Sequence, residues 1–329
     1  MKTTLSASSV EKAGDQLRPV FSDLAAHYPA GSPGRQPVHT VYGGAHLFKA
    51  ETAAKLGTLA VRSFSTFASD AESFAKIFDI SPEFALPVFE RVNDKLKTEA
   101  VEDLRVDFED GYGIRSNEEE DSHAEIAAAE TAKGMRENTL PPFFGIRVKS
   151  FDDETIVRAI RTLDIYLTAL CSETRGKLPE NFVVTLPKVV SPLQISALVD
   201  LLDEIEPVLG IEPGTFKIEF MVETLQSIIS PDGRVALPEF AKAGRGRCVA
   251  AHFGAYDYTA ECGITAPFQD LRHPACEGDQ LRSDDWDGGY RTYRTIERRF
   301  TIGVIREDRR RNAVNGVSCA KNIGEYFLG

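Results

Sequence analysis

Residues 103–116, DLRVDFEDGYGIRS, gather three carboxylates, Asp107, Glu109 and Asp110, where an apolar run breaks into glycines. Asp107 and Glu109 share one face at the two-residue period of a strand, and Asp110 opens the turn. Like charges this close repel one another, so a solvated loop or a bound cation has to account for them. The residues at the other strand ends decide which.

A rhythm of strand and helix runs outward from this stretch. VHTVYGGAH (38–46), FFGIRVKS (143–150), FVVTLPKVV (182–190), FKIEFMVET (216–224) and RCVAAHFGAYD (247–257) read as strands beside LRVDFEDG (104–111). Each is short, β-rich and mostly apolar rather than cleanly alternating, as expected of strands buried on both faces. Helical patterns lie between them. Ser116 and Glu119 suggest a capping box before residues 118–137, whose acidic start suits the helix dipole. Ile156, Val157, Ile160, Leu163, Leu167 and Leu170 form one stripe. Ser191 and Pro192 open a helix carrying Ile195, Leu198, Leu202 and Ile205, and Gly210 stops it.

The polar strand-end residues Asp107, Arg147, Lys188, Glu223 and Asp257 are 40, 41, 35 and 34 residues apart, the length of a repeated βα unit. Such units imply parallel strands. The predicted fold is therefore α/β, a (β/α)8 TIM barrel, which brings every strand's C-terminal end to one mouth. An open doubly wound sheet is the runner-up, but no GxGxxG follows any strand. Residues 1–36 read as an N-terminal helical extension (helix 9–29) and linker, 37–276 as the barrel, and 277–329 as an atypical C-terminal segment.

The composition, 42% hydrophobic and 27% charged over 329 residues, is that of a soluble globular chain with room for a sizeable core. A net charge of −12 argues against nucleic acid as a partner. No apolar run is long enough for a membrane span and no signal-peptide core opens the chain. Five scattered cysteines without a CxxC read as reduced thiols, and the expected location is the cytoplasm.

Glu223 and Asp257, on adjacent strands, together with water would make a hard oxygen site for Mg²⁺ or Mn²⁺. Arg147 supplies a planar fork for a substrate carboxylate or a developing oxyanion. Glu109 and Asp110 add acceptors able to hold metal-bound waters, which is how the opening cluster becomes tolerable. Taken singly, each has a structural reading: Glu223 or Asp257 as a helix cap, Arg147 as a core ion-pair partner, Lys188 as a salt-bridge lysine. A Schiff-base role for Lys188 is disfavoured, because the nearby carboxylates keep it protonated. His46 and His252 flank the expected mouth as satisfied histidines or bases. Gly44, in YGGAH, offers backbone N–H to an anion or simply makes a turn. There is no P-loop, HExxH, GxSxG or Cys/His metal cluster.

VDFEDGYG, GIRV, LPKV, MVET and FGAYDYTAECGI, in that order, resemble the HpcH/HpaI aldolase and citrate lyase β-subunit superfamily of phosphoenolpyruvate/pyruvate-type barrels, over residues 37–276. The resemblance implies a divalent metal held by Glu223 and Asp257, and C–C bond making or breaking through an enolate. It implies that Arg147 contacts the 2-oxo acid or acyl carbonyl, and that the acidic motif is Asp107, Glu109 and Asp110. Asp110 stands where the lyase branch has Asp and the aldolase branch a His. The lyase branch's Arg-Ser pair on the first strand is absent from HTVYGGAH, and His46 is the candidate substitute.

The function expected is a metal-dependent carbon–carbon lyase or aldolase acting on a 2-oxo acid or acyl-CoA, in a homo-oligomer. Arg147, Glu109 and Asp110 are the catalytic candidates, with Gly44, His46 and Lys188 as substrate contacts. Asp110, His46 or a metal-bound water is the proton carrier. The alternative is a non-catalytic ligand-binding or scaffold protein on a degenerate barrel. It draws on residues 277–329, where FTIGVI is the one convincing strand and ten Lys/Arg face nine Asp/Glu. A divergent, truncated or frameshifted barrel end is the expectation there.

Overall fold

All six expected strands form in place in a computed structural model, which describes residues 4–27, 35–270, 273–278 and 301–304. They are β1 (Val41–Gly44), β2 (Asp103–Asp107), β3 (Phe143–Arg147), β4 (Phe182–Leu186), β5 (Lys217–Val222) and β6 (Cys248–Phe253). They pair in parallel and in sequence order, and β7 (Thr301–Val304), inside the expected FTIGVI, pairs in parallel with β6. A doubly wound sheet needs a point where strand order reverses, and this order has none. Apart from β7, Glu277 and Gly278, the C-terminal segment lies outside the described residues.

The sheet curls strongly. Tyr42 on β1 and His252 on β6 share a hydrogen bond, Oη to Nδ1, of 2.5 Å. In a flat sheet these strands would stand roughly 24 Å apart, at about 4.8 Å per strand. The architecture is thus a TIM-like α/β arrangement of repeated βα units. Among the described residues no strand pairing closes β1 onto β7.

The strands are not apolar on both faces, which corrects the sequence reading. Leu104, Val106, Phe144, Ile146, Val184, Leu186, Ile218 and Phe220 point outward and are buried beneath helices. Burying each such side chain contributes about 1.5–3 kcal/mol. Alternate positions point inward and carry polar or charged groups: Asp103, Arg105, Asp107, Arg147, Thr185, Glu219 and His252, all buried. Arg105 donates from Nε and Nη2 to Glu219, at 2.8 and 2.9 Å, and pairs with Asp103. Thr185 Oγ1 donates to Glu219, and His252 Nε2 lies 3.4 Å from the same carboxylate. His252 therefore lies on the inner face of the curled sheet, 4% exposed, rather than beside its mouth.

The helices follow their sequence signals. α1 (Ala7–His27) is the expected extension. α5 (Asn117–Glu137) is capped by Ser116, whose hydroxyl accepts from Glu119 N. Glu119 does not complete the box, since its carboxylate pairs with Arg115 at 3.0 Å. α6 (Ile156–Thr174) buries Leu163, Tyr166, Leu167 and Leu170, whereas Val157 is 78% exposed and off the stripe. α7 (Pro192–Val208) has a full capping box from Ser191 and Gln194, and Gly210 beyond it takes φ +69°. Between β1 and β2 three helices replace the usual one: α2 (Thr52–Phe67), α3 (Ala71–Phe78) and α4 (Pro82–Thr98). Phe64, Phe74, Phe78 and Phe89 pack there as an aromatic cluster. β5 and β6 are joined through α8 (Leu225–Ile228) and α9 (Leu237–Ala243), and α10 (Ala255–Glu261) and α11 (Pro274–Gly278) follow β6. No helix among the described residues is long and apolar enough to cross a membrane.

Candidate functional site

Asp107 ends β2 with no exposed surface and accepts four hydrogen bonds. Two come from Arg147, Nε at 2.7 Å and Nη2 at 2.6 Å, and two from the backbone N–H of Glu109 (3.0 Å) and Gly111 (2.8 Å). Register explains the pair, because Asp107 and Arg147 are direct partners across β2 and β3. The fork of Arg147 is therefore engaged within the protein. Its Nη1 lies 3.2 Å from Glu109, and its guanidinium carbon sits 4.6 Å over the Tyr42 ring. Gly44 faces the same turn: a Cβ there would collide with the Gly111 carbonyl oxygen. Its lack of a side chain serves this close approach of β1 to the acidic loop.

Lys188 lies at the centre. It is one of the non-glycine residues in left-handed backbone, at φ +51°. That conformation turns its N–H onto Glu223 Oε1, at 2.7 Å. Its ammonium pairs with Glu109, reaches both oxygens of Asp110 at 3.2 and 3.4 Å, and lies 3.9 Å from Asp257. Burial opposes its charge, but Glu109 and Asp110 outweigh burial and raise its pKa. The expectation that carboxylates keep Lys188 protonated agrees with this geometry.

Glu223 directly follows β5 and is 2% exposed. It caps nothing, since the cap of α8 is Thr224, whose hydroxyl accepts from Ser227 N. Desolvation pushes the Glu223 carboxyl up to about 8, and Asp257 adds to the rise against Lys188 and Arg147. Asp257 does not end a strand: it lies in the first turn of α10, four residues beyond β6. Gly254 lets β6 pass Glu223, for a Cβ there would strike Oε2. Burial raises Glu109 despite Arg147 and Lys188, whereas the same two cations outweigh burial and lower Asp110.

His46 stands on the far side of the acidic loop. Its ring packs edge-on against Tyr112 at 5.6 Å and near His123 at 6.2 Å, and its buried Nδ1 has no hydrogen-bond partner among the described residues. Burial, with Arg115 and His123, lowers its pKa. The structure thus gathers Glu109, Asp110, Arg147, Lys188, Glu223 and Asp257 at one mouth, with Gly44 beneath the loop and His46 at its edge.

Sequence reasoning missed the layer below. Arg105, Glu219, Tyr42 and His252 form the floor under Arg147; the signal for Arg105 and Glu219 was charge at alternate positions in DLRVD and KIEFMVE, while His252 was named but placed at the mouth.

Asp107, Glu109, Asp110, Glu223 and Asp257 are opposed only by Arg147 and Lys188 in this group. An all-oxygen donor set with this charge deficit fits a hard divalent cation. Among the described residues no group of three or more His, Cys, Asp or Glu converges as a ready-made cage. Glu223 and Asp257 would hold the ion with its remaining positions filled by water and ligand, the usual habit of Mg²⁺.

Fold and site together define a TIM-like α/β protein with a buried charged floor and an acidic mouth. The chain belongs to the family described as a domain of unknown function, DUF6986, whose sequence model matches residues 17–281. No curated protein matches it. Solved structures of Haloferax volcanii malate synthase are similar in part. The lead(II) complex is 16% identical with a TM-score of 0.38, covering 54% of this chain and 48% of that one. The magnesium/glyoxylate complex is 14% identical with a TM-score of 0.36, covering 50% and 45%. The pyruvate/acetyl-CoA ternary complex is 14% identical with a TM-score of 0.34, covering 50% and 42%. This chain spans less than half the length of those synthase chains.

Proposed function

We propose that the protein is a metal-dependent carbon–carbon lyase or aldolase of the HpcH/HpaI and citrate lyase type, on a (β/α)8 barrel domain of residues 37–276 with an atypical C-terminal end. Its substrate would be a 2-oxo acid or acyl thioester. The observation that carries this reading is the buried Glu223 beside Asp257, in a mouth with more carboxylates than cations. Mg²⁺ or Mn²⁺, when bound by Glu223 and Asp257, supplies polarisation of the substrate carbonyl and charge stabilisation of the enolate.

The chain's own residues divide the remaining work. Arg147, fixed by Asp107, keeps a positive charge at the floor of the mouth and presents Nη1 beside Glu109. A substrate carboxylate reaching Nη1 would exchange places with Glu109. Of the acidic pair, Glu109 has the raised pKa, closer to neutrality, and is the better proton carrier; Asp110, held low by Lys188, stays ionised. His46 faces Tyr112 and His123 and is a substrate contact at the rim.

Exchange of the C3 protons of pyruvate into deuterium, followed by NMR with and without Mg²⁺, tests the reading. Metal-dependent exchange is expected, and no exchange at any metal concentration would refute it. The second reading, a barrel that binds without turnover, is favoured by Lys188, whose ammonium already sits among the carboxylates.

Arg147→Lys is expected to lower kcat/KM by about 30- to 1000-fold, equivalent to about 2–4 kcal/mol. An ammonium cannot grip Asp107 from two nitrogens while keeping a third beside Glu109. Near-wild-type kcat/KM with any substrate the enzyme turns over would remove Arg147 from this role.

A further inference from the structure

Lys188 touches more of the mouth than any strand-end carboxylate does. Its ammonium pairs with Glu109, Asp110 and Asp257, while its backbone N–H holds Glu223. Residues other than glycine persist in left-handed backbone where the surroundings over-determine them. Here the φ of +51° allows the N–H and the side chain of one residue to address both sides of the carboxylate group.

We propose that Lys188 is a resident counter-cation of the mouth, competing with a divalent ion for Asp257 and its neighbours, and so setting the affinity and selectivity of the metal site. The inference rests on the metal-site reading above. Two cations a few ångströms apart repel, even where, as at Lys188 and Asp257, the groups are partly exposed. The ammonium therefore has to withdraw along its four-carbon stem when the divalent ion enters. Its withdrawal frees Glu109 from one of its two cationic partners, Arg147 Nη1 being the other. Metal binding thereby also releases the proton carrier. A small, highly charged ion gains most from the vacated carboxylates, so the lysine discriminates against monovalent ions, which cannot displace it. Lys188 acts through these carboxylates and is a positioning residue.

Calorimetric titration of the full chain with MgCl₂ and MnCl₂ tests this, using wild type, Lys188→Met, Lys188→Gln and Glu223→Gln. Both Lys188 variants are expected to bind Mg²⁺ about tenfold or more tightly than wild type, the repulsive charge being gone. Lys188→Arg should bind no more tightly than wild type. If a neutral variant folds poorly alone, the rise of its melting temperature on adding Mg²⁺ should exceed that of wild type. Equal or weaker binding by both neutral variants, with wild type binding and Glu223→Gln not, overturns the role of Lys188 and leaves the metal site standing. Failure of every chain to bind either ion overturns both.

Discussion

Glu223→Gln is expected to abolish divalent-ion binding while leaving the fold and its metal-free melting temperature no lower than in wild type. The two halves have separate physical causes. Gln keeps the carbonyl oxygen that accepts the Lys188 N–H, and it fills the same space beside Gly254. What it loses is a charge that burial already disfavours, as its raised pKa shows. A neutral amide suits a side chain that is 2% exposed better than a carboxylate does. A hard cation, by contrast, takes carboxylate oxygen far more readily than amide oxygen, and only two carboxylates are proposed to hold it. Loss of at least about a hundredfold in Mg²⁺ affinity follows, equivalent to about 3 kcal/mol. Asp257→Asn should behave alike at its more exposed position on α10. In melting experiments, wild type should gain about 3 kcal/mol with Mg²⁺ at a hundred times its Kd, and Glu223→Gln should gain none. An equal Mg²⁺ response in both proteins would sink the ligand assignment.

Much of this fold was legible because βα repetition leaves a mark at two scales. Polar residues at or just beyond the strand ends recur every 34 to 41 positions from Asp107 to Asp257, and α5, α6 and α7 each carry a cap or stripe. Ser191 illustrates the local scale: an N-cap followed by Pro192 can be read from two letters and needs no tertiary contact, although the box that Gln194 completes there was not read and the box read at Ser116 and Glu119 does not form. The insertion between β1 and β2 was not legible, since α2, α3 and α4 bury little and their order depends on how Phe64, Phe74 and Phe89 find one another.

The site divides along the same line. Glu223, Asp257, Arg147 and the acidic loop were candidates from sequence because strand ends are where parallel barrels collect function. Their pairings could not be read. That Arg147 spends two nitrogens on Asp107 depends on register across β2 and β3, and register is set by contacts distant in sequence. Asp257 was misplaced by one helical turn because GAYD prolongs an apolar run that the structure ends at Phe253. The inward layer was hidden by the larger apolar share of each strand. Of its signature, Asp103, Arg105 and Asp107 at alternate positions, only Asp107 was read, grouped with Glu109 and Asp110 as an acidic end rather than as part of one charged face.

Arg105→Met is expected to be the most destabilising single change in the described chain, costing about 3–5 kcal/mol. Arg105 is 3% exposed and links β2 to β5 by two hydrogen bonds to Glu219, besides its pair with Asp103. Removing it strands two carboxylates on the buried inner face of the sheet, and that uncompensated charge, more than the lost contacts, sets the cost. The pH dependence distinguishes this mechanism from simple loss of packing. Burial would raise the Glu219 carboxyl, but Arg105 and His252 outweigh it and hold it at about 2. A depressed carboxylate contributes stability that is present above its unfolded value, near 4.3, and is lost as pH falls through 2. His252, lowered chiefly by burial, contributes in the same direction and is lost as pH falls below about 6.5. Wild-type stability should therefore decline in two stages, first below about 6.5 and then between about 4.5 and 2. In Arg105→Met the second stage should vanish or reverse, because a buried, unpaired Glu219 gains from protonation. The variant should then be closest to wild type in stability at acid pH. Arg105→Met combined with Glu219→Gln should recover part of the loss at neutral pH, since no unpaired charge remains at position 219. Denaturant melts of the three proteins from pH 3 to 8 measure all of this. A constant stability difference across that range, with no recovery in the double variant, would show that Arg105 acts through packing rather than through charge.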